Sequence, residues 1–418
     1  MLTVSFTTGG ALRKSALRQA NERLVLDSIR RQPGISRSEI ARISGFARTS
    51  VTFVVNRLIQ EKLVVEEKGG SDSSQAGRPP TALRLRAEAM VAVGVEISAP
   101  LTRIALFDLN GVLMQTRDVR WQESTSGFLN AVAKAIRDMA GAAKSKRMLG
   151  VGVSLPGTID KLTGRVIAAE GLGWFDVSVG QLLRAKLEWP IVFENDANLS
   201  ALAEQWFRPS NEAALRYFIY VRARGGVGTG VVVDGRTLHG AASAGAEFGH
   251  VMLYPDGRPC ACGNRGCWEQ YVSDAALVRA YGEAGGGTQG PDRVLEDSLL
   301  IVKLAREGNA AALSALKTTA RYLALGFVNL VAALNPQALI LGEPYASAWD
   351  LIQEDVLYEL RRRVPAYSMA GLKILPSRIG TDSALRGAAA LVLAHFFTRF
   401  DHTKDESLPI NVSMEATA

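Results

Sequence analysis

The sequence predicts an α/β protein preceded by a small basic helical module, and three observations carry that prediction. From about Met90 onward, short β-rich apolar runs alternate with amphipathic helical runs, the pattern of strands and helices packed in layers. Before that point the apolar period is helical and the charge is lopsided. Residues 1–86 hold 15 Lys and Arg against 7 Asp and Glu, whereas the rest of the chain holds 33 against 34. Finally, all three cysteines fall in one short window, Cys260–Cys267. A chain of 418 residues exceeds one ordinary core and implies two or three domains. The expected organisation is a flexible N-terminus over 1–20, a helical module over 21–86, a body over 90–400 and a flexible tail over 401–418.

In the module, Asn21–Ile29 reads as a helix with Leu24, Val25 and Ile29 on one face, ended by Pro33-Gly34. Ser36 with Glu39 three residues on forms a capping box for a second helix, whose apolar face is Ile40, Ala41 and Ile43. After the turn Ser44-Gly45-Phe46, a third helix covers roughly Ala47–Glu61. It buries Val51, Val54, Val55, Leu58 and Ile59 and presents Arg48, Thr49, Thr52, Asn56 and Arg57 on the other side. Two short helices about a Gly-containing turn are a helix-turn-helix. The strands Leu63–Glu66 and Leu83–Arg86 flank a Gly/Ser-rich tip and form a wing, with Arg78 held rigidly beside Pro79. A basic winged helix on a neutral body points to double-stranded DNA as the partner of that module, with Arg48, Thr49, Thr52, Asn56, Arg57 and Arg78 as contacts. A helical protein-interaction module is the alternative; helix spacing, wing and local charge together favour DNA.

In the body, Met90–Ile97 and Arg103–Leu109 read as strands, and Asp108-Leu-Asn-Gly111 as a hairpin turn. A helix over Phe128–Ala143 and a strand over Leu149–Leu155 follow. The strand Pro190–Phe193 runs into Glu194-Asn195-Asp196 and a helix. Phe218–Arg222 and Gly230–Val233 pair across the Gly-rich turn Gly225–Gly228, and the helices Leu313–Ala333 and Ser383–Phe397 flank the strand Ala338–Leu341. This pattern predicts two lobes of similar topology about a cleft. Asn195 and Asp196 at a strand end, with Glu247, His250 and Glu269 on loops, supply acceptors suited to a polyhydroxylated ligand.

Cys260, Cys262 and Cys267, with His250 ten residues upstream of the first, make a complete tetrahedral set for a structural zinc ion. Three unpaired core cysteines are the alternative, but the rest of the chain has none. A disulfide leaves an odd thiol over. With four protein ligands no position is open for a substrate, so the metal's role is structural rather than hydrolytic. The first 20 residues carry no apolar signal core, and the longest apolar stretches are about a dozen residues, short of the roughly 20 that span a bilayer. The expectation is a cytoplasmic protein with no membrane partner.

Together, Glu247-Phe-Gly-His250 and Cys260-Ala-Cys-Gly-Asn-Arg-Gly-Cys267-Trp-Glu269 resemble the sugar-and-zinc signature of the ROK family, which contains sugar kinases and sugar-responsive repressors. The resemblance runs from about Asn21 to His395. It implies a winged helix-turn-helix followed by a two-lobed, actin- and sugar-kinase-like α/β body with a zinc knuckle. It assigns His250, Cys260, Cys262 and Cys267 to zinc, and Asn195, Asp196, Glu247, His250 and Glu269 to sugar hydroxyls. In the kinases the residue matching Asp196 is the general base.

The departures from the kinase pattern concern the ATP site, two at its phosphates and one near its base. Glu96-Ile-Ser-Ala-Pro100 stands where the kinases have Asp-x-Gly-Gly-Thr, Arg224-Gly225-Gly226 where they have Gly-Thr-Gly, and Gly342-Glu343 where they have a Gly pair. Losing that cradle abolishes phosphoryl transfer, which depends on positioning and neutralising the phosphates. The expected protein is therefore no enzyme but a dimeric or tetrameric regulator. It would repress from a palindromic operator and respond to a sugar or sugar derivative. An active sugar kinase with a DNA-binding arm is the first alternative. A regulator that senses a protein partner or a phosphorylated metabolite, or that activates, is the second.

Overall fold

The computed structural model describes residues 14–67, 81–143, 147–209, 212, 214–241, 243–287 and 294–399. The chain divides into two compact units. Of the described residues, one holds those up to Val91, Asp108–Val112 and those from Leu393 to Arg399; the other holds Ala92–Phe107 and those between Leu113 and Val392.

The first unit opens with α1 (Lys14–Arg31), α2 (Arg37–Ser44) and α3 (Arg48–Gln60). Helix α1 begins well before Asn21, which corrects the expected flexible segment for residues 14–20. Lys14-Ser-Ala-Leu-Arg-Gln-Ala20 is mostly strong helix formers and holds no breaker. The Ser36–Glu39 capping box is present, and Gly45 closes α2 in the left-handed region at φ 74°. Val25, Leu26, Ile29, Ile40, Val51, Val55 and Leu58 form the core between these helices. Two expected core residues lie outside it, Leu24 at 46% exposure and Ile43 at 57%. Leu26 takes the inner place on α1, and α2 is so short that only Ile40 and Ala41 reach the core.

Strands β1 (Val64–Glu67) and β2 (Ala82–Leu85) pair antiparallel from Val64↔Leu85 to Glu67↔Ala82. Residues 34–35 hydrogen-bond to β2 through Gly34 N–H to Leu83 O (2.8 Å) and Leu83 N–H to Ile35 O (3.0 Å). The tip, with Arg78, lies outside the described residues. The end of the body helix also belongs to this unit rather than to the expected 90–400 body. Phe397 is 4% exposed, and the Arg30 guanidinium lies 5.5 Å from its ring centroid.

The second unit is built on two five-stranded sheets. The first has the order β10-β6-β3-β4-β5. Its strands are β3 (Met90–Glu96), β4 (Leu101–Asp108), β5 (Leu113–Arg120), β6 (Arg147–Leu155) and β10 (Ile191–Asn195), with α4 (Thr125–Ala142) between β5 and β6. A small sheet of β7 (Thr158–Asp160), β8 (Arg165–Ala169) and β9 (Trp174–Val177) precedes α5 (Val179–Arg184). Strand β10 pairs parallel to β6 and runs directly into α6 (Asp196–Trp206).

The second sheet has the order β13-β12-β11-β14-β15. It comprises β11 (Phe218–Arg222), β12 (Gly228–Val233), β13 (Arg236–Thr237), β14 (Ala338–Leu341) and β15 (Lys373–Pro376). Helices α7 (Glu269–Val272), α8 (Asp274–Glu283), α9 (Val294–Arg306), α10 (Ala310–Leu334) and α11 (Tyr345–Arg363) accompany it, followed by the short α12 (Ala366–Met369) and by α13 (Ser383–Arg399). The main core of this unit joins Val221, Trp268, Leu277, Leu323, Phe327, Leu339 and Ile352. The all-apolar β14, buried on both faces, is the mark of a central parallel strand. The sequence reading missed β5, β7–β9 and β15. Strand β5 is exposed along almost its whole length, so burial never imposed an alternating pattern on it.

Candidate metal centre and ligand cleft

The knuckle is a tight double turn. Gly266 adopts φ 73°, and a Cβ there would lie 1.7 Å from Tyr254 O, so only glycine fits. Trp268 anchors the knuckle: its indole is buried and donates from Nε1 to Tyr322 O of α10 at 2.9 Å. The four expected ligand atoms, one each from His250, Cys260, Cys262 and Cys267, lie within 4.8 Å of one another. Cys262 and Cys267 place their sulfurs 3.7 Å apart, and Cys260 Sγ lies 3.7 Å from His250 Nδ1.

The Cys262–Cys267 spacing is too long for a disulfide. It matches the sulfur–sulfur edge of a tetrahedron with metal–sulfur bonds of about 2.3 Å, which is about 3.8 Å. Burial pushes the Cys260 and Cys267 thiols upward, and the Glu269 carboxylate adds to this at Cys260. A bound divalent cation reverses that by holding the thiolates. The cluster can hold a metal ion.

Beside the knuckle the structure gathers most of the expected polar set. Glu269 opens α7, and its Oε1 accepts from Cys260 Sγ at 2.8 Å and Gln270 Nε2 at 3.2 Å. The turn carrying Glu247 and His250 presses against the Gly-rich turn, since a Cβ on Gly249 would fall 2.0 Å from Val227 O. Glu247 keeps solvent contact. Desolvation nonetheless raises its carboxyl; His250 opposes this, and Asp196, Glu170 and Glu269 add to it. Glu170, which the sequence reading did not single out, is one of the charges acting on Glu247.

Asn195 is differently occupied. Its Oδ1 caps α6 by accepting from Ala197 N (2.9 Å) and Asn198 N (3.3 Å), and its Nδ2 donates to Gly157 O at 3.0 Å. Asp196 at the start of α6 accepts from Arg222 at 2.9 Å through Oδ2. Burial raises its carboxyl, Arg222 opposes the rise, and Glu96 adds to it. Arg222 also donates to Glu96 Oε1 at 2.9 Å, and Arg224 lies 3.4 Å from the same oxygen.

An ion network thus ties β3, α6 and β11 together. Nothing local to the sequence marks it, because its members are far apart along the chain. The same holds for Glu194, whose Oε2 meets His239 Nε2 at 2.7 Å. Glu343, just ahead of α11, accepts from Ser347 Oγ (2.9 Å) and Ser347 N (3.1 Å) in the first turn of that helix.

In the N-terminal unit, Arg48, Thr49, Thr52 and Asn56 are exposed along one face of α3. Thr52 Oγ1 bonds back to Arg48 O at 2.8 Å, and Asn56 Oδ1 accepts from Arg37 at 3.0 Å. Arg57 is committed elsewhere, donating to the buried Glu22 at 2.7 Å and to Glu61 at 3.1 Å.

A profile of the ROK family matches residues 92–395. The chain belongs to the ROK family. Among ROK relatives, the xylose repressor of Bacillus subtilis is 28% identical over 388 residues, spanning 91% of this chain and 96% of its own. A solved ROK family transcriptional regulator, a homologue of the Escherichia coli MLC protein, shares the fold over 91% of this chain and 97% of its own, with a TM-score of 0.74 at 24% identity. The ROK glucokinase of Streptomyces griseus, solved with glucose and AMPPNP, matches 72% of this chain and 98% of its own, with a TM-score of 0.63 and 27% identity.

Proposed function

We propose that this ROK protein is a sugar-responsive, DNA-binding transcriptional repressor rather than a kinase. The observation that carries the reading is coverage. A repressor matches 91% of the chain, whereas a whole glucokinase matches 72%. The basic N-terminal module lies ahead of the matched family span and exposes a polar face on α3. On this reading residues 21–86 are the DNA-binding domain, and 90–400 the sugar-binding body. Arg48, Thr49, Thr52 and Asn56 contact the operator, and Arg78 serves the wing. Arg57 is better described as a strut of the module.

The sugar lies among Asp196, Glu247, His250 and Glu269, with Asn195 shaping the wall. A structural zinc ion on His250, Cys260, Cys262 and Cys267 pins the His250 turn and the start of α7, where Glu269 follows Cys267 by two residues; His250 faces the cluster through Nδ1. A symmetric homodimer or homotetramer reading a palindromic site completes the proposal, with the protein acting in the cytoplasm.

The test is a thermal-shift screen of the full chain against neutral pentoses, hexoses and amino sugars, without ATP. A sugar at 100 times its Kd adds about 2.7 kcal/mol of stability, a rise of roughly 3–4 °C in a protein of this size. The same sugar is expected to weaken binding to a selected operator fragment at least tenfold. Absence of any shift, or a shift with unchanged DNA affinity, sinks the reading.

A further inference from the structure

Helix α3 has two unlike faces. Val51, Val54, Val55 and Leu58 are buried in the core of the module. On the opposite side Thr49, Thr52, Phe53 and Asn56 are exposed, and their spacing of three and four residues gathers them into one stripe. Three of the four are polar. Phe53 is not, and it stands in the middle of the stripe at 57% exposure. The sequence reading took only polar and basic residues of this helix as contacts and passed it over.

Its polar neighbours are partly committed within the module. Thr52 Oγ1 donates to Arg48 O at 2.8 Å. Asn56 Oδ1 accepts from Arg37 at 3.0 Å, and the same guanidinium pairs with Glu66. The bidentate grip of an asparagine on adenine needs that same oxygen. The phenyl ring carries no hydrogen-bonding group, so what it recognises on a base edge must be apolar. The major groove offers one such feature, the C5-methyl group of thymine.

We infer that Phe53 is a specificity-determining residue, its ring packing against a thymine methyl in each half-site of the operator. The inference rests on the reading of α3 as the operator-contacting helix, and adds to that reading the base faced by the centre of the helix. The contact removes apolar surface from water, an attraction distinct from the salt-sensitive phosphate contacts of a basic module.

The experiment starts from duplexes selected out of a random pool by the full-length protein. Their thymines are replaced one at a time by uracil, which pairs alike but lacks the methyl group, and affinity is read by fluorescence anisotropy. For the wild type, replacement of one particular thymine in a half-site is expected to weaken binding roughly fourfold, the effect of one buried methyl group. Phe53→Ala removes an exposed side chain and is expected to melt with the wild type. It should bind the thymine duplex about tenfold more weakly, keep the wild-type salt dependence, and be indifferent to uracil at that position. Phe53→Leu should retain part of the methyl effect.

A wild type indifferent to uracil at every thymine overturns the inference, as does a methyl effect that survives Phe53→Ala. An equal loss on both duplexes does the same and assigns Phe53 to contacts between protein modules. If the wild type selects no sequence, the repressor reading falls and this inference with it. If it selects a sequence but ignores the methyl groups, only this inference falls.

Discussion

Glu22 is 1% exposed, and its carboxylate is held by the Arg57 guanidinium at 2.7 Å. A buried carboxylate stripped of that partner destabilises the module by about 2–3 kcal/mol. Arg57→Ala should therefore lower the stability of the module in urea melts. Arg48→Ala, which removes an exposed side chain, should leave stability within about 0.5 kcal/mol and weaken operator binding. Equal stability of the two variants would contradict the strut assignment. From sequence, both arginines lie on the polar face of one helix; only the position of Glu22, 35 residues away on α1, separates their roles. Cys262 is the exposed member of the metal cluster. Cys262→Ser should cut the zinc content from about one ion per chain. A loss of about 3 kcal/mol would lower the melting midpoint by roughly 3–5 °C. Retention of full zinc by the variant would exclude that cysteine as a ligand.

At the scale of elements, the end of β10 is tied to the segment after β13 by Glu194 and His239. Burial alone would raise the Glu194 carboxyl. The hydrogen bond and charge of His239 outweigh it, helped by Asn198 and the Asn195 N–H, and hold it below its ordinary 4.5. A carboxyl depressed on folding stabilises the native state at pH above its unfolded value and loses that contribution as pH falls through the folded one. His239→Gln should therefore be less stable than the wild type at neutral pH, with the gap closing as pH drops below 4.5. A gap independent of pH would assign His239 a packing role alone. The capping box of α2, the hairpin turn at Gly111 and the passage of β10 into α6 were all legible, since each is written in a few adjacent residues. The small sheet of β7–β9 was not. Its strands are short, partly exposed and interrupted by Gly164 and Gly173, so periodicity leaves little trace.

Across the whole chain, the parts share a logic. The unit that carries the Gly-rich turn has the ROK fold, and beside that turn the guanidinium groups of Arg222 and Arg224 meet the carboxylates of Glu96 and Asp196. With ATP, Mg²⁺ and any sugar that raises the melting point, a coupled ADP-release assay should stay at background, against about 1–100 s⁻¹ for ordinary kinases. Sugar-dependent turnover anywhere near that range would restore the kinase alternative. Among the described residues no helix is long and apolar enough to cross a membrane.

The sequence by itself determined what is local or compositional. It showed the segregated positive charge, the helix-turn-helix with its caps, the alternation of strands and helices, and the clustering of His250 with three cysteines. Those signals survive in one dimension because helix period, turn chemistry and metal-ligand spacing act over a few residues. The tertiary structure alone decided which charges meet. Arg222, Glu96 and Asp196 are separated by 26 to 126 positions, and nothing in their neighbourhoods requires the pairing. Sheet order and helix docking bring them within 2.9 Å. Burial then makes the pairing consequential, because a charge removed from water must find its partner wherever the fold has placed it.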